Sequence, residues 1–304
     1  MDVDPLIAIA GFVVGGIVGL TGMGGGALMT PILVIFFNVQ PLAAVSSDLV
    51  AAMVMKPVGR SVHLRRGTVD LRLVRLLCIG SVPSAFAGVL LLKSLGDSAQ
   101  LQDRIKLVLG AALLIAAGGI VAKTAVQRAR VGVTDQVDIR TIALKGGPTI
   151  AIGVVGGLVV GMTSVGSGSL MIVLLLLLYP SLSAAQLVGT DLVQAIPLVA
   201  SAALGHLLFG DVSLDLTGSL LIGSIPGVYL GARVSAKAPD AIIRPVLVIV
   251  LVLSALKLLG ASNAALATVM GVSAVATIVV LLLRRAARTD ELDSTDDQNL
   301  NRRQ

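Results

Sequence analysis

Seven stretches of this chain are long and apolar enough to cross a lipid bilayer as helices: about 42–63, 70–94, 101–123, 184–208, 214–235, 241–259 and 264–283. A crossing helix needs about 20 mostly apolar residues. Two further apolar stretches, 5–38 and 146–179, are too long for one straight span. At 1.5 Å per residue, ~34 residues reach about 50 Å, against a hydrocarbon core of about 30 Å. Glycines interrupt each near its middle. The fold class this predicts is an all-α polytopic membrane protein.

Composition supports that class. Hydrophobic residues make up 56% of the chain and charged residues only 13%, where soluble domains carry about 25% charged residues. The mean hydropathy is +0.98. With no Trp and two Tyr, interfacial anchoring falls to Lys and Arg rather than to an aromatic belt. The formal charge of +6 sits at the ends of apolar segments, so it reads as topology and not as nucleic-acid binding. A lone cysteine, Cys78, excludes an internal disulfide and a Cys-based metal cluster, and packing is its expected role. The acidic start, Met1-Asp-Val-Asp4, lacks the basic region of a secretory leader.

The two halves align. At an offset of 142 residues, Gly11, Gly15, Gly19, Thr21, Gly24 and Gly26 fall on Gly153, Gly157, Gly161, Thr163, Gly166 and Gly168. After one inserted residue, Asp48-Leu-Val falls on Asp191-Leu-Val, His63 on His206, and Ile79-Gly-Ser-Val-Pro83 on Ile222-Gly-Ser-Ile-Pro226. A constant register that includes both histidines marks a duplication, and duplicated membrane units are common in transporters. The predicted organisation is a first repeat over 1–122, a cytoplasmic linker at 123–145, a second repeat over 146–260, an extra helix at 261–283 and a disordered cytoplasmic tail at 284–304.

Loop charges set the sense of the repeat. The turn near 64–69, with its flanks, carries Lys56, Arg60, Arg65, Arg66, Arg72 and Arg75, whereas the equivalent turn near 209–213 has Asp211 and no Lys or Arg. By the positive-inside rule the first is cytoplasmic and the second external. The linker, the 236–240 turn and Arg284, Arg285 and Arg288 also read as cytoplasmic. These assignments agree if 5–38 and 146–179 are re-entrant hairpins. Each repeat then has three spans, and the second copy is inverted. With the extra helix, the chain crosses seven times, N-terminus outside and C-terminus inside. The alternative is a nine-span chain with two long kinked helices.

The hairpin tips carry the candidate substrate site: Thr21, Gly22, Gly24, Gly25 and Gly26 in one, and Thr163, Ser164, Gly166, Ser167, Gly168 and Ser169 in the other. Irregular backbone at membrane depth is tolerated only where it is buried in protein or lines a cavity. Amides at a half-helix start, aided by the helix dipole, suit an anion, and the Ser and Thr hydroxyls add donors. The competing reading is tight packing through small residues. No serine has the Gly-x-Ser-Gly setting of an intramembrane protease, so no catalytic residue, enzyme activity or cofactor is expected. Asp48 and Asp191, and His63 and His206, are candidates for coupling transport to a proton or other ion. The alternatives are a dipole-stabilised carboxylate and a hydrogen bond at a helix end. Two histidines at opposite faces cannot share a metal ion. Lys56 and Arg60, whose counterparts are Val199 and Ala203, are expected to snorkel to the cytoplasmic interface.

The pattern Gly15-Gly-Ile-Val-Gly19, Gly22-Met-Gly-Gly-Gly26 and Pro31, followed by Ser46-Ser47-Asp48 and His63-Leu-Arg-Arg-Gly67-Thr-Val-Asp70, resembles the TauE/SafE family of sulfite exporters. Gly166-Ser-Gly168 and Gly223-Ser-Ile-Pro226 in the second half are similar to it too. The resemblance covers most of 5–260 and implies a plasma-membrane transporter of sulfite, organosulfonates or related small anions. The expected partners are such an anion, the lipid bilayer and a coupling ion, with homodimerisation left open and nucleic acid excluded. A non-transporting scaffold or assembly factor is the rival reading.

Overall fold

The computed structural model describes residues 3–21, 25–63, 69–94, 99–129, 143–168, 170–182, 184–234 and 240–272. Among the described residues, ten helices form one unit that ends at Gly260: α1 (Pro5–Thr21), α2 (Gly26–Phe36), α3 (Pro41–His63), α4 (Leu71–Ser94), α5 (Ala99–Ala129), α6 (Gly146–Thr163), α7 (Leu170–Leu178), α8 (Ala184–Phe209), α9 (Leu214–Val234) and α10 (Asp240–Leu258). No strand occurs among the described residues. A second unit begins at Ala261 and contains the short apolar helix Asn263–Val272. The rest of the expected 264–283 span and the 284–304 tail lie outside the described residues.

Among the described residues, five helical segments are long and apolar enough to cross a membrane: Leu71–Ser94, Gln102–Ala122, Gly146–Thr163, Gly189–Phe209 and Leu214–Val234. The stretch expected at 42–63 forms a helix of 23 residues, but Asp48, Lys56 and Arg60 lower its hydropathy. That expected at 241–259 forms α10, within which Pro245–Leu258 is a shorter apolar helix. Both over-long stretches break where their glycines predicted, between α1 and α2 and between α6 and α7. Helix α5 runs on to Ala129, so the start of the expected 123–145 linker is helical.

Local chemistry explains several helix ends. Pro5 opens α1, and Asp4 Oδ1 accepts the backbone N–H of Leu6 at 2.8 Å, a carboxylate cap before a proline at the first helical position. Asp70 caps α4 the same way, accepting the N–H of Arg72 at 2.8 Å. The Arg72 guanidinium also donates to Asp70, Nη2 to Oδ2 at 2.8 Å, and holds the Asp70 carboxyl below the usual carboxylate range. Prolines 83 and 226, matched in the repeat, sit inside α4 and α9.

Packing exchanges the halves. The most extensive helix pairs are α1 with α9 and α4 with α6, so the opening helix of each half lies against the fourth helix of the other. The contact surfaces are ladders of small residues four apart, the geometry that lets membrane helices approach closely. A Cβ on Gly11 would meet Leu220 O at 2.9 Å, one on Gly15 would meet Ser224 O at 2.6 Å, and one on Gly19 would meet Ala232 N at 2.7 Å. The partner residues rise with the glycine numbers, so α1 and α9 run parallel. Gly153, Gly157 and Gly161 of α6 meet Leu77, Ser81 and Ala85 of α4 in the same parallel sense.

Between these pairs lie α3 and α8, and they run antiparallel. Ser46, early in α3, touches His206, late in α8, while Lys56, late in α3, feels the charge of Asp191, early in α8. Val45, Leu49, Ala52, Leu198, Val199 and Ala202 are buried around this crossing. Outward side chains are apolar, as lipid requires. Ile79 and Ile222, matched in the repeat, are 61% and 57% exposed.

Candidate substrate site at the helix breaks

The second break is held as a hairpin. The hydroxyl of Tyr179, just after α7, accepts the N–H of Lys145 at 2.8 Å and lies 2.6 Å from Thr149 Oγ1 at the start of α6. The chain therefore returns to the end from which it set out. At the tip, Ser164 ends α6 in the left-handed conformation with φ 60°. Gly166 and Gly168 follow at φ +124° and +100°, where a Cβ is strained. Three such residues in five reverse the chain.

The two breaks meet. A Cβ on Gly26, at the start of α2, would collide with the carbonyl and hydroxyl oxygens of Ser164. Asp48, fully buried in α3, joins them. Its Oδ2 accepts the Ser164 hydroxyl at 2.7 Å and the Thr30 hydroxyl of α2 at 3.0 Å. Oδ1 of the same carboxylate has no hydrogen-bond partner among the described residues. Eight residues on, Lys56 Nζ donates to Ser167 Oγ at 2.9 Å. Helix α3 of the first half thus grips the second tip at two points.

Lys56 is a correction to the snorkelling expectation. Asp48 and Lys56 lie four residues either side of Ala52, the midpoint of α3, or about 6 Å from it along the axis. The ammonium turns inward to the tip because Ser167 and two carboxylates, Asp191 and then Asp48, attract it there. Its lack of a counterpart, Val199, was the signal in the sequence.

Other candidates sort by what their polar atoms touch. Thr21 and Thr163 donate their hydroxyls to carbonyls one turn back, Ile17 O at 2.7 Å and Val159 O at 2.6 Å, so both protons serve the helix ends. Thr163 Oγ1 also accepts the Val165 N–H at 3.1 Å. Gly25 O accepts the N–H groups of Leu28 and Met29, starting α2. Gly22, Gly24 and Ser169 lie outside the described residues, as does the side chain of His63. Asp191 is buried in α8, as are Thr190 and Gln194. Gln194 Nε2 donates to Ser81 Oγ at 2.7 Å. The oxygens Thr190 Oγ1 and Gln194 Oε1 have no hydrogen-bond partner among the described residues.

His206 is a strut. Its Nε2 lies 2.8 Å from Gly161 O, and its Nδ1 lies 2.7 Å from Ser46 Oγ. A carbonyl only accepts, so Nε2 carries the proton and Nδ1 accepts from the serine. The fully buried ring ties α8 to the ends of α6 and α3. No His, Cys, Asp and Glu cluster suited to a metal ion occurs among the described residues.

A family model described as Sulfite exporter TauE/SafE matches residues 7–258. This chain belongs to that family. It is 37% identical over 254 residues to the Probable membrane transporter protein YjnA of Bacillus subtilis, covering 83% of this chain and 98% of that protein. YdhB and YunE, also named probable membrane transporter proteins of Bacillus subtilis, are 22% and 23% identical, covering 79% and 82% of this chain and 93% and 94% of their own lengths. No solved structure matches. The family match and the apolar helices make this TauE/SafE member a multi-pass membrane protein.

Proposed function

We propose that this chain is a secondary transporter, not an enzyme, that carries small anions such as sulfite or organosulfonates by alternating access around its two helix breaks. The observation that carries this reading is the junction of Gly26, Ser164 and Asp48, where two irregular tips from different halves meet on a buried carboxylate. A packing motif alone has no use for buried charge at such a junction, because charge there is costly. The relatives' names as probable membrane transporters support the same class.

The halves are inverted in this reading. A two-fold rotation that exchanges them pairs α1–α9 with α6–α4 and maps α3 onto α8, and the antiparallel run of α3 and α8 supports an axis across the helices rather than along them. The hydrogen bonds of Tyr179 support a re-entrant 146–179. The chain sits in the plasma membrane with its C-terminus cytoplasmic, and the units are those set by the repeat, 1–122 and 146–260. Asp48 and Asp191 are the coupling candidates, and His206 is a support.

Sulfite release from loaded proteoliposomes tests the proposal. Wild-type protein gives saturable flux, and Gly24→Leu and Gly166→Leu abolish it while the protein still folds. Flux unchanged by both substitutions removes the tips as the site. No flux of any small oxyanion favours a scaffold.

A further inference from the structure

The two tips are chemically unequal. Ser164 and Ser167 of the second correspond to Gly22 and Gly25 of the first, and Lys56, which reaches the second, corresponds to Val199. Among the described side chains, only the second tip is bonded to a cation from the other half. Ser167 is buried, while Lys56 is partly exposed. An ammonium has three donors, and one hydrogen bond of Lys56, to Ser167, occurs among the described residues.

We propose that the second tip alone binds the transported ion, that Lys56 is its anion-recognising residue, and that the ion is singly charged. This rests on the anion-transport reading and adds the residue, the tip and the charge class to it. In the structure the oxygen of Ser167 stands where an anionic oxygen would sit against Lys56 Nζ. An arriving anion replaces that oxygen, and the Ser167 hydroxyl turns to donate to the same ion.

The charge follows from the neighbours. Among the described side chains, the cation that reaches this tip is Lys56, bonded to Ser167 and facing Asp191 and Asp48, so among them it supplies the positive charge of the site. Two facing carboxylates already exceed that charge, so a monoanion is matched by it when both carboxylates are protonated, in line with Asp48 and Asp191 as coupling candidates. A dianion would bring a second, uncompensated charge into a buried site beside two carboxylates, and an unpaired buried charge is very costly. Asp48 is itself held by Ser164 and Thr30, which keeps its occupied oxygen on the hydroxyls.

The test uses two probes whose charge is fixed near neutral pH, methanesulfonate (one charge) and sulfate (two). Binding to full-length protein is read from the anion-dependent rise in melting temperature, which follows from selective binding to the folded state. Methanesulfonate binds the wild type at least about 10-fold more tightly than sulfate. Lys56→Gln weakens methanesulfonate at least about 10-fold, the order expected when a hydrogen-bonded charge partner is lost. Lys56→Arg retains part of the affinity, and Ser167→Ala weakens it less than Lys56→Gln.

No anion binding to the wild type, sulfate binding as tightly as methanesulfonate, or Lys56→Gln with unchanged affinity each overturns the proposal. Should Lys56→Gln fail to fold, the ratio of the two anions in the wild type and in Lys56→Arg decides it. The transport reading is tested separately. Anion binding without flux in proteoliposomes removes that reading and leaves the site. Sulfite flux with an unchanged KM in Lys56→Gln removes the site and leaves transport.

Discussion

Asp48 and His206 are both buried, both polar and both matched in the repeat, yet their surroundings give them different work. Asp48 joins elements that must part if access alternates: α3, the start of α2 and the tip at Ser164. Replacing it with Ala leaves two buried hydroxyls without their acceptor. Flux in Asp48→Ala proteoliposomes is expected to fall at least 10-fold, roughly the effect of about 1.4 kcal/mol or more, within the range for a lost hydrogen bond to a charged group. Asp48→Asn, which keeps the acceptor oxygen, is expected to bind anion but to lose the pH dependence of flux. A mutant as pH-sensitive as the wild type would remove Asp48 from coupling. His206→Leu leaves Ser46 and Gly161 without their imidazole partner and is expected to cost about 1–3 kcal/mol in stability. Its pH profile of flux should match the wild type. A shifted profile would return His206 to the coupling candidates.

At the scale of elements, the glycine ladders make sharp demands. Gly15→Ala places a methyl 2.6 Å from the Ser224 carbonyl, and backbone cannot step aside as a flexible side chain can. The cost is expected to be about 1–3 kcal/mol. Gly118→Ala in α5 meets nothing within 4 Å and is expected to be neutral or to stabilise by roughly 0.5–1 kcal/mol. Thermal melts of the two variants side by side check both. The Asp70 cap gives a third case. Arg72 depresses the Asp70 carboxyl, so its contribution is present above the unfolded value and is lost as pH falls through the lower folded one. Asp70→Ala is expected to cost about 1 kcal/mol at neutral pH, and the gap from wild type should close in acid.

Helix positions were legible in the sequence because apolar length and glycine breaks are local properties. The expected 70–94, 184–208 and 214–235 end within two residues of α4, α8 and α9. Both breaks fell where Gly22–Gly26 and Gly166–Gly168 placed them. Side-chain direction was not legible. Thr21 and Thr163 looked like ligand donors, but a threonine at a helix end finds its own carbonyls first. Thr30 went unnoticed because its repeat partner, Ile172, is apolar. The direction of Lys56 is not local information, because its attraction comes from Ser167 and Asp191, more than a hundred residues away in the chain.

At the scale of the whole molecule, the inverted arrangement proposed for the halves makes a topological prediction. In a Cys78→Ser background, a cysteine at Thr68 should react with an impermeant thiol reagent only from the cytoplasmic side. One at Asp211 should react only from outside. Reaction of both from one side would sink the inverted arrangement.

The exchanged ladders, α1 on α9 and α6 on α4, have a consequence for assembly. Neither half contains the surface on which its own first helix rests. During synthesis α1 must wait, unpaired in lipid, until more than two hundred residues have followed it. A half-length chain made alone would have to borrow the missing ledge from a second molecule, and its folding would depend on concentration. Two halves made together in one cell should find each other and restore flux, while either made alone should be degraded. Joining the copies in one chain removes that dependence and makes the partnership permanent.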